Sequence, residues 1–268
     1  MAIKKYGRER PNLKNFFSSM MLAFQFFTIV PVNRQLDLTK KTVTGMFQFL
    51  PWLGVIMGAI VALIFEGLSL TDSSPLLIGF LIMMAFVIWT GGLHIDGFTD
   101  MGDAYFSYRD LKKRQEILDD PRVGAFGAMA LLFLILTKLV FLTELVTKDI
   151  LSSYWLMFVP FLARAALGFY IVWTKPSKEK GLGYFFRTHI QLKQYLIVTL
   201  LSLAVGTAIM IYTTHSWTAF VLAVIALIVV PLYKMWTKKN FGGASGDLYG
   251  AFIEGVEAIL WIALLCLN

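Results

Sequence analysis

The chain has 268 residues, 57% of them hydrophobic and only 15% charged, with a formal net charge of +7. A soluble domain carries about 25% charged residues, so the composition argues against an ordinary soluble enzyme. One cysteine, Cys266, excludes an internal disulfide and a CxxC metal site, and His94, His189 and His215 are too scattered to suggest a zinc site.

The N-terminus places Lys4, Lys5, Arg8, Arg10 and Lys14 before an apolar stretch, as a signal peptide would. No small-residue cleavage site follows and more apolar runs do, so the segment reads as retained. The stretch 16–30 is apolar but short and ends at Pro31. It reads as an interfacial or re-entrant helix. A span needs about 20 apolar residues. Seven runs qualify, near 47–66, 76–93, 123–143, 151–173, 195–213, 217–235 and 251–267. The expectation is one all-α domain over residues 1–268, a polytopic helical bundle of the lipid bilayer.

Lys and Arg alternate between the connecting segments. They crowd 1–46, 94–122 and 174–194 and recur as Lys238 and Lys239; 67–75 and 214–216 hold none, and 144–150 holds only Lys148. Cytoplasmic loops carry this excess, which predicts a cytoplasmic N-terminus, an external C-terminus and a cell-membrane location. The net positive charge therefore reflects membrane orientation, and nucleic acid is not an expected partner. No clear internal repeat is present, which counts mildly against a transporter.

In GGLHIDGFTDMGD (91–103), Asp96, Asp100 and Asp103 recur at i, i+4 and i+7. On a continuing helix these share one face. Three stacked anions repel, and a hard divalent cation such as Mg²⁺ makes them favourable. Gly97 and Gly102 leave room for close approach. His94 is either catalytic or a satisfied interfacial histidine. In DDPRVGAFG (119–127), Asp120 and Pro121 suit a helix start, and Arg122 has the planar donors to face a phosphate.

Inside the fourth span, Arg164 is placed to pair with Glu254 or with a substrate phosphate; Lys138, in the third, suits snorkelling. Between spans, KPSKEKGLG offers Lys178 and Lys180 for anionic substrate capture, although orientation alone explains these charges. In GGASGDLYGAFIEGVE (242–257), the loop through Gly243 and Gly246 offers backbone N–H groups to phosphate at a helix N-terminus. Asp247 is either a site carboxylate joining the Asp96 cluster or a helix cap. Glu254 and Glu257 lie deeper, where ionisable groups point to function: orienting Arg164, or a second metal. Acidic ligands, glycine loops and bases on one surface suit transfer of a phosphoryl-linked group from a nucleoside diphosphate.

At these residues the chain resembles the adenosylcobinamide-GDP ribazoletransferase (cobalamin-5′-phosphate synthase) family. The shared pattern reads GGLHIDGFTDMGD (91–103), DPRVGAFG (120–127) and GGASGDLYGAFIEGVE (242–257), with FQFFTIVPV (24–32) and the GLG at 181–183. Tyr105-Phe106 stands where smaller residues are expected. The resemblance implies that adenosylcobinamide-GDP is joined to α-ribazole, or its 5′-phosphate, with release of GMP and with Mg²⁺ as cofactor. The residues read above then stand as candidates: Asp96, Asp100, Asp103 and Asp247 at the metal, His94, Asp103 and Asp247 in catalysis, and Arg122, Arg164, Gly243, Gly246 and Lys180 on substrate. Oligomeric state stays open. The competing readings are a CDP-alcohol-type phosphotransferase, whose DGxxAR core is absent, and a cation-coupled transporter using Asp247, Glu254 and Arg164.

Overall fold

A computed structural model describes residues 13–268; the expected charges Lys4, Lys5, Arg8 and Arg10 lie outside the described residues. The described chain forms eleven helices and no β-sheet. Six are long and apolar enough to cross a membrane: α2 (Lys40–Ser69), α6 (Ala125–Thr147), α7 (Ser153–Trp173), α9 (Leu192–Thr214), α10 (Thr218–Phe241) and α11 (Gly246–Leu267). The expected short N-terminal helix is α1 (Leu13–Phe27), which buries Ser19, Leu22 and Ala23.

A seventh candidate is α3 (Pro75–Thr90), which qualifies only together with the helix that follows it and is started by the Ser74 side chain and a proline at its N-terminus. It does not run on through the aspartates. Gly91 and Gly92, at φ +61° and +78°, close it: Gly91 N–H donates to Ile88 and Gly92 N–H to Val87. That pairing is the left-handed glycine stop. The next helix, α4 (Leu93–Ser107), leaves at 93° and so lies across the end of the bundle, outside the spans. The expectation of a single continuing helix is corrected by this break. The three aspartates still share one helix, α4.

The central strut is α7, whose membrane window is 89% buried. Against it α2 packs through Gly54, facing the Pro160 backbone, and Gly58, facing Leu156 and Met157. Small residues four apart let helices in lipid approach closely. Two short helices complete the motif-bearing end: α5 (Leu111–Ile117) and α8 (Gly181–His189). Arg114 of α5 donates to the Tyr105 and Tyr108 carbonyls and to Asn240 Oδ1, tying the end of α4 to the end of α10.

Candidate active site

Two of the sequence motifs meet where α4 crosses α11. A side chain at Gly97 would strike the Asp247 backbone, and one at Gly250 would come within 3.1 Å of the His94 backbone. Glycine is required at 97 and makes the approach easy at 250, and the crossing sets His94, Asp96 and Asp247 on the wall of one cavity of about 510 Å³. The volume falls in the range of small-ligand sites.

The start of α11 explains why Asp247 is free for chemistry. Its cap is Ser245, whose Oγ accepts from Leu248 N–H at 3.3 Å. Asp247 therefore does not cap the helix, which corrects that alternative. The loop before it is held by backbone pairing: Ala244 N–H donates to Lys175 and Ser177 N–H to Ala244. Gly243, at φ +155°, packs on residues 175–177, whereas Gly246 lines the cavity. Of the two expected phosphate-loop glycines, Gly246 borders the cavity and Gly243 holds the loop together.

Asp100 lies beside the crossing. Burial first, then the nearby charges of Asp96, Asp247 and Asp103, push its carboxyl up to about 7. These four carboxylates thus share one electrostatic neighbourhood. Among the described residues, no three His, Cys, Asp or Glu side chains form a ready-made metal cluster. Mg²⁺ does not require one, since it commonly takes one or two carboxylates, substrate phosphates and waters. Asp96, Asp100 and Asp247 fit that donor chemistry. Asp103 is turned elsewhere: its Oδ1 accepts Gly127 N–H at 3.1 Å and it packs on Gly124. It thereby satisfies the start of α6, whose cap residue, Gly124, has no side chain to do so.

His94 is only 3% exposed, and neither ring nitrogen has a hydrogen-bond partner. Burial, then the charge of Arg164, hold its imidazole down to about 3, so the ring stays neutral. The Tyr249 hydroxyl, also buried on the cavity wall, is unpartnered too. Two basic side chains reach the same cavity from the 174–180 loop. Lys178 donates to the Gln115 carbonyl at 2.6 Å and to Asp119 at 2.7 Å; Lys180 stands 3.3 Å from Asp119. Partial burial works to raise the Asp119 carboxyl, but the two lysines outweigh it and hold it below its usual range.

Several expected residues lie elsewhere. Arg122 is 86% exposed, engages Asp120 through both guanidinium and backbone, and does not line the cavity. Asp120, held down to about 2 by Arg122, is not the cap of α6 either; Gly124 is. Arg164 donates to Glu257 at 2.9 Å, and its expected partner Glu254 pairs with Lys138. Lys138 does not snorkel. It is buried and bonds Glu254 and, at 3.0 Å, Glu257. The two deep glutamates thus have cationic partners, which account for their burial.

A family model described as cobalamin-5-phosphate synthase matches residues 19–265. The chain is 32% identical to the adenosylcobinamide-GDP ribazoletransferase of Geobacillus sp. (strain WCH70), covering 96% of this chain and 98% of that one. It is 34% identical to the enzyme of that name from Geobacillus kaustophilus, over 93% and 95% of the two chains. It is 30% identical to the one from Clostridium tetani, over 94% and 99%. No solved structure matches the chain. With its three motifs in order and the match running almost end to end, this chain belongs to the cobalamin-5-phosphate synthase family, transferases of cobalamin synthesis.

Proposed function

We propose that the chain joins adenosylcobinamide-GDP to α-ribazole, or to its 5′-phosphate, and releases GMP. The observation that carries this reading is the α4–α11 crossing, which brings carboxylates, an unbonded histidine and a glycine-started helix to one cavity. Within a family of that activity, this is the equipment for phosphoryl-linked transfer.

Mg²⁺ held by Asp96, Asp100 and Asp247 would neutralise diphosphate charge. The chain's own residues do the rest. Lys180, exposed at the cavity rim beside Lys178, meets the anionic donor. The acceptor hydroxyl oxygen attacks the phosphorus attached to cobinamide as the bond to the GMP oxygen breaks. The hydroxyl proton passes to the Asp247 carboxylate on the cavity wall, since burial and then the Arg164 charge hold the His94 imidazole down to about 3. The active site faces the cytoplasm, as supported by the Lys/Arg excess on the loops at this end.

The transporter alternative loses its pathway. Glu254 and Arg164 are locked in buried ion pairs, and the void beside Glu254, Glu257 and Lys138 is only about 10 Å³. The test is direct: purified protein with adenosylcobinamide-GDP, α-ribazole and Mg²⁺ should release GMP, and EDTA should stop it. Absence of GMP release in a folded preparation would overturn the reading.

A further inference from the structure

The segment FQFFTIVPV (24–32) has no part in the chemistry above. Its Phe26 and Phe27, at the end of α1, reach the cavity, where Phe47 of α2 and Phe186 of α8 meet them. Phe26 stands edge-on to Phe186 with ring centres 5.4 Å apart; Phe47 meets Phe186 at 5.2 Å and Phe27 at 5.7 Å. Four rings from three separate helices form a continuous edge-to-face chain. Rings packed only as core would fill their space, whereas these border an open cavity.

We infer that this aromatic cup seats the planar base of the acceptor nucleoside, the benzimidazole of α-ribazole. The inference rests on the reaction proposed above and names the subsite for one of its substrates. The cup is built of phenylalanines, which offer neither donor nor acceptor. A guanine there would leave its exocyclic amine and carbonyl unpaired in a dry site. A benzimidazole riboside is an apolar bicycle with one free ring nitrogen, an acceptor. The cavity wall offers a buried donor without a partner among the described residues, the Tyr249 hydroxyl.

Position agrees with chemistry. Gly183 abuts the Ser245–Gly246 backbone at the start of α11, and Phe186 follows three residues on, roughly 4.5 Å along α8. The cup therefore adjoins the glycine loop, as a base adjoins the reacting end of its own nucleoside. At about 510 Å³ the cavity suits a nucleoside and the reacting phosphates, with the bulky corrinoid macrocycle left outside.

Steady-state kinetics in lipid nanodiscs, varying each substrate in turn, test this. Phe26→Ala, Phe27→Ala and Phe186→Ala should each raise KM for α-ribazole about tenfold, the usual scale for one aromatic platform under a base. Tyr249→Phe should raise it less. KM for adenosylcobinamide-GDP should stay within about twofold in all four. Phe186 is buried, so Phe27→Leu, at a half-buried position, serves as the variant that keeps apolar bulk and loses only the ring. A rise in donor KM alone would give the cup to guanine and overturn the inference, as would no change in either KM. Failure of the unaltered protein to release GMP defeats the reaction itself; normal release with acceptor KM unmoved defeats only this subsite.

Discussion

Asp247 carries the clearest residue-scale expectation because the structure separates its charge from its position. Ser245 already caps α11, so an asparagine at 247 leaves the helix start intact. Asp247→Asn should therefore keep the melting midpoint while kcat falls about 100-fold or more, the scale for losing a group that stabilises developing charge. Retained kcat and retained Mg²⁺ dependence would remove it from the site. Asp103 should behave in the opposite way. Its carboxylate serves the start of α6, so Asp103→Ala should cost stability, about 1–2 kcal/mol for a lost cap, seen as a lower melting midpoint. Lys180→Ala separates binding from folding. Its exposed contact with Asp119 is worth little to stability, so KM for the diphosphate donor should rise about tenfold with the midpoint unmoved. The sequence made the family of groups at the site legible, because chemistry demands carboxylates beside glycines. It did not separate Asp96 from Asp103, since both lie on one face of α4 and only the neighbour, cavity or α6, tells them apart. Arg122 illustrates the same limit: its donors are visible in the sequence, whereas its engagement by Asp120 two residues away depends on the local turn of the backbone.

At the scale of elements, apolar length identified every crossing helix, because lipid leaves no other way to satisfy the backbone. The two features missed are both set by tertiary structure. The 93° turn between α3 and α4 hangs on two positive-φ glycines, which an apolar count passes over. Lys138 looks like a snorkelling residue until its partners arrive from α11, 116 and 119 positions later. The resulting group, Lys138, Glu254, Glu257 and Arg164, ties α6 and α7 to α11. Breaking a buried pair strands a charge, at about 3–5 kcal/mol. Glu257 bonds both Arg164 and Lys138, whereas the ion pairing of Glu254 is to Lys138 alone. Glu257→Ala should therefore lower the melting midpoint in nanodiscs more than Glu254→Ala. Equal losses, or the reverse order, would show that the cluster does not act as drawn.

The whole molecule is sided. Each span reverses direction, so the starts of α2, α6 and α11 and the ends of α3, α7 and α10 share one end of the bundle with α4, α5 and α8. All cavity residues belong to that end, and the opposite loops, near Asp72, Lys148 and His215, contribute none. An enzyme drawing large polar substrates from one compartment needs only this arrangement. Charge gives the expectation of which compartment it is: the loops bearing Lys112, Lys113, Lys178 and Lys180 lie at the cavity end, and cytoplasmic loops carry such an excess. Replacing the exposed Cys266 by serine gives a background free of thiols. Single cysteines at 72, 148 and 215 should then react with an impermeant maleimide in intact cells, and cysteines at 112 and 180 only after lysis. Lysine-rich loops flank the cavity, so labelling of 112 or 180 from outside would invert the molecule and with it the compartment from which substrate arrives. Labelling of 72 from inside, with 148 and 215 still outside, would instead mean that α3 does not cross, leaving six spans and α3–α4 as a re-entrant pair.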